Sequence, residues 1–419
     1  MSKDFKKLTA WIINPYGNIP SESWRDYRST MIAQAMEKAG HETVWWVSNF
    51  VHRSKSYRER DWHDMQVSPN FLVRIVPTTP YYSHISFSRI RCEQNYIRNV
   101  YEAAQRYSRP DVIILAEPAL FFSKPILKLV DQWNIKLIVD ILDLWPELFH
   151  IILPPKLSWM GRLLFLPFYC RRTALYRKAD AIVAVTDDYL ALARNISQKK
   201  YMDVVYLGVD VRKIHSELKT PEHLPFEFQN SPKTKGEIWV IYAGTLGNNY
   251  DIRSILKAAE ILEVKKQRMR LIIAGEGPLK EIVISTIHEK KLTKTVFIGT
   301  LKSEVLTYLY SFCDIALSTY IHGSTVSMPV KAFDYMAAGL PVVNSLERNL
   351  GEIVRTKNVG IQYESGNPES LANAILQLSS DADMRSTMSK NALNLAEVFD
   401  IDIQYKKFVN LIERVCAVS

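Results

Sequence analysis

Short runs of consecutive apolar residues, separated by segments with helical periodicity, constrain the fold of this chain more than any other feature. Most of these runs are apolar at successive positions instead of alternate ones, so both faces of each strand must be covered. That pattern is typical of parallel strands in α/β domains. The runs are Leu8–Ile13, Val44–Val47, Leu72–Val76, Val112–Leu115, Lys136–Val139, Ala181–Val185, Trp239–Tyr242, Leu271–Ala274, Val296–Ile298, Ile315–Leu317 and Val342–Asn344.

Helical patterns fill the intervals between the runs, and the alternation occurs in two blocks. Examples are Trp24–Lys38, with Gly40 as a stop signal, and Ile252–Glu263. The sequence therefore predicts two doubly wound, Rossmann-like α/β domains, and 419 residues are enough for two such domains.

The domain boundary is predicted within residues 196–235, because the segment KTPEHLPFEFQNSPKTKGE is rich in Pro and Lys and has no period. The predicted domains are residues 1–200 and 201–395. Residues 396–419 contain an amphipathic helix, Ile401–Val418, which we expect to pack back toward the first domain.

The composition excludes several classes of protein. Hydrophobic residues make up 47% and charged residues 23% of the chain, which excludes a disordered or fibrous protein. No apolar stretch reaches the roughly 18 residues of a membrane-spanning helix. The first residues run from charge into a strand-like segment without an apolar signal core, so we expect no secretion. The cysteines, Cys92, Cys170, Cys313 and Cys416, are far apart and are expected to be free thiols. We expect a cytoplasmic protein.

The positive charge is concentrated in the first half. Residues 1–200 contain 28 Lys and Arg against 19 Asp and Glu, whereas residues 201–419 contain 25 of each kind. The whole net charge of +9 thus belongs to the first half. This asymmetry predicts an anionic partner, for which nucleic acid, a phospholipid surface and a phosphorylated substrate all qualify.

Glycine-containing turns follow the predicted strands, and ligands of open α/β sheets bind at the carboxyl ends of strands. In the first half, Gly17 lies in the turn 14–22 ahead of a predicted helix. In the second half, the turns 242–249 and 274–278 follow consecutive strands. Each could be an ordinary turn, but the latter two together indicate a floor for a nucleotide. No G-x-G-x-x-G is present, which disfavours standard dinucleotide binding.

A polar loop from His322 leads into Pro329 and a predicted helix that carries Lys331 and Asp334. Free N–H groups at the helix start, together with Lys331, could cradle a diphosphate. Asp334 lies three residues further on the same face, where its carboxylate could accept both hydroxyls of a ribose. The alternative is a capped helix with an exposed Lys–Asp pair.

Six motifs carry a resemblance to a known family. The sequence resembles glycosyltransferase family 4, the large retaining group with the GT-B fold, in which two Rossmann-like domains face each other across a cleft. The second half matches strongly and the first half loosely, and the last two motifs resemble the branch that builds bacterial surface polysaccharides. The motifs are YAGTLG (242–247), AGEGP (274–278), VFIGTL (296–301), LGVD (207–210), DLWPE (143–147) and SMPVKAFDYMAAGLPVV (327–343).

The resemblance implies transfer of a sugar from a nucleotide-diphosphate sugar to a glycan or polyprenyl-linked acceptor, with retention, no metal and no cofactor. The family's usual basic pair is absent from TLGNN, so Lys331 is expected to supply that charge and to act in catalysis. Asp143 and Glu117 are the candidates for acceptor contacts, and a surface salt bridge is the competing interpretation of each. The donor-binding candidates are Gly17, Gly244, Thr245, Gly247, Gly275, Glu276, Gly277, Pro278, Gly299, Ser324, Thr325, Ser327 and Asp334.

Two other functions are open at this point. The family usually has two glutamates, eight residues apart, around the donor. The second position is Asp334, which keeps a carboxylate, but the first is Val326, which is compatible with a non-catalytic scaffold. A nucleotide-sugar epimerase would need an acid–base pair, and no clear pair is evident. Turnover of a nucleotide sugar would exclude the scaffold.

The segment Lys156–Lys178 combines aromatic and basic residues, including Trp159, Phe168, Arg171 and Arg172. Such a segment favours contact with an anionic membrane surface, and a core helix with a solvated basic face is the alternative. We expect a peripheral association with the inner face of the cell membrane. No nucleic-acid-binding module is evident, so nucleic acid is not an expected partner.

Overall fold

The computed structural model describes residues 6–22, 27–83, 86–153, 160–220, 223–265 and 268–417. The chain divides into two compact units. The first consists of residues 1–207 and 402–419, and the second of residues 208–401. In the part of the chain that the structure describes, no helix combines the length and the apolar character needed to cross a bilayer.

The first unit is built on an eight-stranded sheet with the order β10-β9-β8-β7-β1-β2-β6-β5. All neighbours are parallel except β5, which runs antiparallel to β6, and β3 and β4 form a separate antiparallel ribbon. The strands are β1 (Thr9–Ile13), β2 (Glu42–Ser48), β3 (Phe50–Val51), β4 (Ser56–Tyr57), β5 (His63–Ser68), β6 (Phe71–Val76), β7 (Val112–Glu117), β8 (Lys136–Ile141), β9 (Ala181–Ala184) and β10 (Tyr201–Val204).

Helices cover the sheet of the first unit. They are α1 (Arg28–Lys38), α2 (Phe87–Ala104), α3 (Ser123–Trp133), α4 (Gly161–Leu164), α5 (Leu166–Lys178), α6 (Asp187–Ile196) and the last helix of the chain, α16 (Ile401–Cys416). Short 3-10 turns lie at Pro20–Glu22 and Glu147–Ile152. The central strands β7 and β8 are almost wholly buried, which is why their sequences are continuous apolar runs.

A buried ion pair joins distant parts of the first unit. Arg28 at the start of α1 donates from Nε and Nη2 to the two carboxylate oxygens of Asp140 on β8, at 2.6 and 2.7 Å. Its Nη1 donates to the carbonyl of Val205 at 2.8 Å, and the guanidinium lies 5.7 and 5.5 Å from the rings of Tyr405 and Phe408 on α16. One side chain thus connects a helix, a central strand, the end of β10 and the C-terminal helix.

The second unit contains a six-stranded parallel sheet with the order β13-β12-β11-β14-β15-β16. Its strands are β11 (Ile238–Ala243), β12 (Met269–Ala274), β13 (Thr295–Gly299), β14 (Ile315–Ser318), β15 (Val342–Asn344) and β16 (Gly360–Gln362). Its helices are α7 (Val211–Lys219), α8 (Phe226–Gln229), α9 (Ile252–Glu263), α10 (Lys280–Glu289), α11 (Ser303–Tyr310), α12 (Val330–Ala337), α13 (Asn349–Lys357), α14 (Pro368–Ser380) and α15 (Ala382–Val398).

All eleven predicted strands are present, and the helix predicted at Ile252–Glu263 has those bounds. The predicted first helix is α1 from Arg28 onward, and Trp24 lies outside the described residues. The last helix ends at Cys416, and the predicted end at Val418 also lies outside them.

The range 196–235, in which we predict the domain boundary, is largely structured. This segment contains β10, α7 and α8, and the chain passes from one unit to the other between Leu207 and Gly208. In the Pro- and Lys-rich part, Phe228 is 2% exposed and its ring lies 4.8 Å from the ring of Trp239. A single buried aromatic side chain therefore fixes a segment whose composition is that of a loop.

We predict that Arg28→Met lowers the free energy of unfolding of the first unit by about 3–5 kcal/mol, because Asp140 would remain buried without its cation. Of the nine tryptophans only Trp239 lies in the second unit, so tryptophan fluorescence in a urea titration reports mainly on the first. Lys6→Met is the control, because the Lys6–Asp111 pair is exposed and should contribute less than about 1 kcal/mol. Equal effects of the two substitutions would contradict the structural role of Arg28.

Candidate functional site

The glycine turns of the second unit lie side by side, because β11, β12 and β13 are parallel neighbours. The N–H of Gly244 donates to the carbonyl of Ala274 at 2.9 Å, and the N–H of Gly275 donates to the carbonyl of Gly299 at 2.7 Å. The N–H of Leu246 donates to the backbone carbonyl of Glu276 at 2.9 Å. The structure therefore brings together three of the predicted donor-binding turns in one backbone network.

Close packing between these turns explains why two of their positions must be glycine. A β-carbon on Gly275 would lie 1.8 Å from the carbonyl oxygen of Gly244, and one on Gly277 would lie 2.4 Å from that of Leu246. Both residues also have positive φ angles, of +147° and +154°. Gly275 and Gly277 are thus required by the fold, and their contact with a donor stays a prediction.

The remaining candidates of these turns differ in exposure. Thr245 and Pro278 are exposed, whereas Gly247 is buried. The Glu276 carboxylate is exposed and pairs with Lys280 at 3.1 Å. Gly299 has a φ of +64° and open space where a side chain would lie.

Lys331 is the most unusual side chain of this region. Its stem is partly exposed, but its ammonium nitrogen is buried and has no hydrogen-bond partner among the described residues. The nitrogen lies 4.3 Å from the ring centre of Tyr242 and 5.1 Å from those of Tyr250 and Tyr320. A β-carbon on Gly244 would lie 3.4 Å from the same nitrogen, so the ammonium adjoins the first glycine turn. We call the rings of Tyr242, Tyr250 and Tyr320 the tyrosine box.

Burial lowers the pKa of Lys331 to about 7. The tyrosine rings attract the cation, but they do not replace the hydrogen bonds that water gives to an ammonium group. Near neutral pH the side chain is therefore a buried, partly protonated amine with unused hydrogen-bond donors beside the glycine turns. The alternative of an exposed Lys331–Asp334 pair is wrong, since the nitrogen is enclosed by aromatic rings.

The tyrosine box was not predicted from the sequence, although a signal for it exists. Tyr242 lies at the end of β11, Tyr250 closes the turn that follows, and Tyr320 lies two residues after β14, the neighbour of β11. The carboxyl ends of parallel neighbours meet at one edge of the sheet, so aromatic residues at these positions could have been grouped.

Asp334 is partly exposed on α12, three residues beyond Lys331. The helix begins at Val330 with Pro329 as its N-cap, and no side chain caps it. The predicted order of Pro329, helix start, Lys331 and Asp334 is therefore present. Contact of Asp334 with a ribose stays a prediction.

The loop before α12 has internal hydrogen bonds of its own. The hydroxyl of Ser324 accepts from the N–H of Val326 at 3.3 Å, and the carbonyl of Thr325 accepts from Arg348 at 2.8 Å. Ser327 is 1% exposed, and its hydroxyl accepts from the N–H of Asn349 at 3.4 Å. These bonds give the loop a defined shape, and donor contacts through Ser324, Thr325 and Ser327 stay predictions.

In the first unit, Glu117 ends β7 and is 1% exposed, so it forms no surface salt bridge. Its Oε2 accepts from the Tyr176 hydroxyl at 3.0 Å, while its Oε1 has no partner among the described residues. Burial raises the pKa of Glu117 to about 8, although the nearby charge of Arg172 acts in the opposite direction. Glu117 is thus a buried carboxylic acid at neutral pH.

Asp143 follows β8 and shapes the DLWPE turn. Its carboxylate accepts from the N–H of Leu144 at 2.9 Å and from the indole of Trp145 at 3.3 Å. Its charge contributes to the raised pKa of Glu117, so the structure brings the two acceptor candidates near each other. Their roles toward an acceptor stay predictions.

The assignment of Arg172 to a membrane-facing surface is wrong. Its side chain is 4% exposed and donates to both carboxylate oxygens of Glu147, at 2.6 and 2.9 Å. Its Nη1 also donates to the carbonyl of Trp145 at 2.9 Å. Arg172 therefore fixes the DLWPE turn to α5.

Gly17 lies after β1 with a φ of +113°, and its carbonyl accepts from Arg58 at 2.9 Å. The preceding residue, Tyr16, donates to Glu93 of α2, which also pairs with Arg89 at 3.1 Å. This cluster of partly buried polar groups at the carboxyl end of the first sheet was missed by the sequence analysis. Gly17 as a donor contact stays a prediction.

Two family models match the chain. Residues 29–213 match glycosyltransferase family 4, and residues 225–395 match glycosyl transferases group 1. An uncharacterised glycosyltransferase of Methanocaldococcus jannaschii is 26% identical over 50% of this chain and 53% of its own length. The amylovoran biosynthesis glycosyltransferase AmsK of Erwinia amylovora is 22% identical over 51% of each chain. The chain thus spans about half the length of these relatives.

Solved structures match over almost the whole chain. Sucrose-phosphate synthase from Thermosynechococcus elongatus has a TM-score of 0.74 and 15% identity, covering 99% of this chain and 100% of its own. HepE of Anabaena, solved in complex with UDP, has a TM-score of 0.66 and 13% identity, covering 97% of this chain and 100% of its own. Both family models and these folds agree with the predicted architecture, and the chain belongs to the glycosyltransferases of the GT-B fold.

Proposed function

We propose that this glycosyltransferase moves a sugar from a nucleotide-diphosphate sugar to an acceptor hydroxyl, with retention of the anomeric configuration. The observation that carries the proposal is the buried ammonium of Lys331 beside the glycine turns of the second unit, which has no hydrogen-bond partner in the described part of the chain. A diphosphate would supply the anionic acceptors that this group lacks. The complexes of HepE with UDP and with UDP-glucose support a nucleotide-sugar donor.

In the proposed reaction the bond between the anomeric carbon and the diphosphate oxygen breaks, and the acceptor hydroxyl attacks from the same face. The hydroxyl proton passes to the departing diphosphate. Negative charge grows on that leaving group, so Lys331 and the first-turn N–H groups of α12 would stabilise the transition state more than the ground state. Asp334 would hold the ribose.

For the acceptor we propose a glycan or a polyprenyl-linked sugar, in the synthesis of a surface polysaccharide. The DLWPE turn supports this, since Asp143 and the buried acid Glu117 lie near each other at the carboxyl end of the first sheet. The similarity to AmsK, named for amylovoran biosynthesis, supports a role in polysaccharide synthesis. Nucleotide binding without turnover would favour the scaffold that Val326 suggests.

We also propose that the first unit contacts the inner face of the cell membrane. In the described part of the predicted segment, Leu163, Leu164 and Leu166 are 70%, 60% and 47% exposed, and the exposed Arg162 directly precedes them. Consecutive exposed leucines beside cationic side chains favour an apolar and anionic interface. Trp159 and Lys156 lie outside the described residues.

We predict that Asp334→Ala weakens nucleotide binding by about 1.5–3 kcal/mol, because a hydrogen bond to a charged group is lost. A thermal-shift screen of UDP-, GDP-, dTDP- and CMP-sugars would first identify the base, since a ligand raises the stability of the folded state it binds. Calorimetry then compares Asp334→Ala with Glu352→Ala, an exposed carboxylate on α13. Unchanged affinity in Asp334→Ala would refute the ribose assignment.

We predict that Lys331→Met stabilises the ligand-free protein at pH 6, by about 1–3 kcal/mol, because it removes a buried unsatisfied cation. As pH rises through about 7, the folded protein releases the Lys331 proton while the unfolded chain keeps it to about pH 10. The wild type therefore regains stability over this range, and the advantage of Lys331→Met should shrink toward pH 9.

Scanning calorimetry at pH 6, 7.5 and 9 measures this difference, with the exposed Lys257→Met as the control. A difference between wild type and Lys331→Met that does not change with pH would mean that the ammonium is solvated.

We predict that the triple variant Arg162→Gln, Leu163→Ser, Leu164→Ser loses co-sedimentation with anionic vesicles, whereas Arg172 is left intact because it is structural. Binding of the wild type should fall with salt, since charges are screened over about 8 Å at physiological ionic strength. The matched control is Arg253→Gln, Val264→Ser, Ile284→Ser, which removes the same kinds of exposed side chain from the second unit. Equal sedimentation of both variants would exclude this segment as the contact.

A further inference from the structure

A groove in the first unit lies apart from the candidate functional site. It runs between α2 and α3 and has a volume of about 560 Å³. We call it the basic groove. Its apolar walls are Ile97, Tyr101, Leu120, Phe121 and Pro125, and its cations are Arg98, Lys124, Lys128 and Arg171.

Helical spacing accounts for this arrangement. Arg98 and Tyr101 are three residues apart on α2, and Lys124 and Lys128 are four apart on α3, so each pair shares one helix face. Arg171 on α5 completes the groove and donates to the carbonyl of Leu120 at 3.2 Å. Two lysines at a spacing of four repel each other and destabilise a helix slightly, so the pair is not explained by helix stability.

The cations of the basic groove have no carboxylate partner among the described residues, and no acidic residue lines it. Lys128 lies 5.4 Å from the ring of Tyr101, and Arg98 donates to the side-chain amide oxygen of Asn95 at 3.5 Å. The neighbouring cations differ, since Arg172 pairs with Glu147 and Lys178 pairs with Asp131. The cations next to the groove thus form ion pairs with carboxylates, whereas the cations that line it form none with the described residues.

We propose that the basic groove binds the phosphate headgroup of an anionic phospholipid, with the first carbons of its chains on the apolar walls. The four cations are complementary in charge to a phosphate, and the apolar walls are complementary to the first carbons of the lipid chains. The volume is of the size that holds a headgroup and the start of a chain, not a protein segment. Arg171 belongs to the same helix as the exposed Leu166, so the groove adjoins the segment proposed to touch the membrane.

This inference rests on the proposed membrane contact, and it names a specific lipid site within it. The test uses dihexanoyl phosphatidylglycerol below its critical micelle concentration, so that binding is measured by calorimetry without a membrane. Dihexanoyl phosphatidylcholine and chain-free glycerophosphoglycerol are the two comparison ligands. Lys124→Gln/Lys128→Gln is the test variant, and Lys219→Gln/Lys257→Gln makes the same charge change on exposed lysines of the second unit.

We expect the phosphatidylglycerol to bind the wild type and the control variant equally and to bind Lys124→Gln/Lys128→Gln about tenfold or more weakly, since each lysine contributes to holding an anionic headgroup. Both comparison ligands should bind more weakly than the phosphatidylglycerol. Equal affinity of the chain-free headgroup would overturn the lipid assignment, and equal affinity of the test variant would overturn the site. If the protein binds anionic vesicles but not dihexanoyl phosphatidylglycerol, lipid binding by the basic groove is refuted, whereas the proposed membrane contact is not.

Discussion

Parallel pairing of buried strands is the constraint on which the rest of the structure depends. In each unit it brings the carboxyl ends of neighbouring strands, and therefore the turns that follow them, to one edge of the sheet. In the second unit these turns approach so closely that Gly275 and Gly277 have no room for a side chain. The same edge receives Lys331 from the helix α12, which follows β14.

Burial without a counter-ion among the described residues distinguishes Lys331 from the buried arginines of the first unit. Arg172 and Arg28 are also buried, but each donates to both oxygens of a carboxylate. A paired cation contributes to the fold, whereas a cation held only by aromatic rings has donors left for a ligand. The structure thus separates cations of the fold from a cation available for chemistry.

Much of the fold could be predicted because it depends on local patterns. Continuous apolar runs located the central strands, and turn glycines located their ends. The Phe228 anchor was not predictable, since it depends on Trp239, eleven positions away in the chain, within a segment of loop-like composition. Arg172 was assigned to the surface because periodicity does not show that Glu147, 25 residues earlier, reaches it. The tyrosine box required knowing that β14 lies beside β11.

If the Lys331 ammonium contacts the diphosphate of the donor, nucleotide binding must be accompanied by proton uptake. Burial holds the pKa of Lys331 at about 7 in the ligand-free protein, and a bound diphosphate would raise it. Calorimetric titration with the nucleoside diphosphate at pH 8, in two buffers of different ionisation enthalpy, measures that uptake. We expect close to one proton to be taken up per diphosphate by the wild type and none by Lys331→Met. Binding of the nucleotide at pH 8 with no proton uptake by the wild type would contradict that contact.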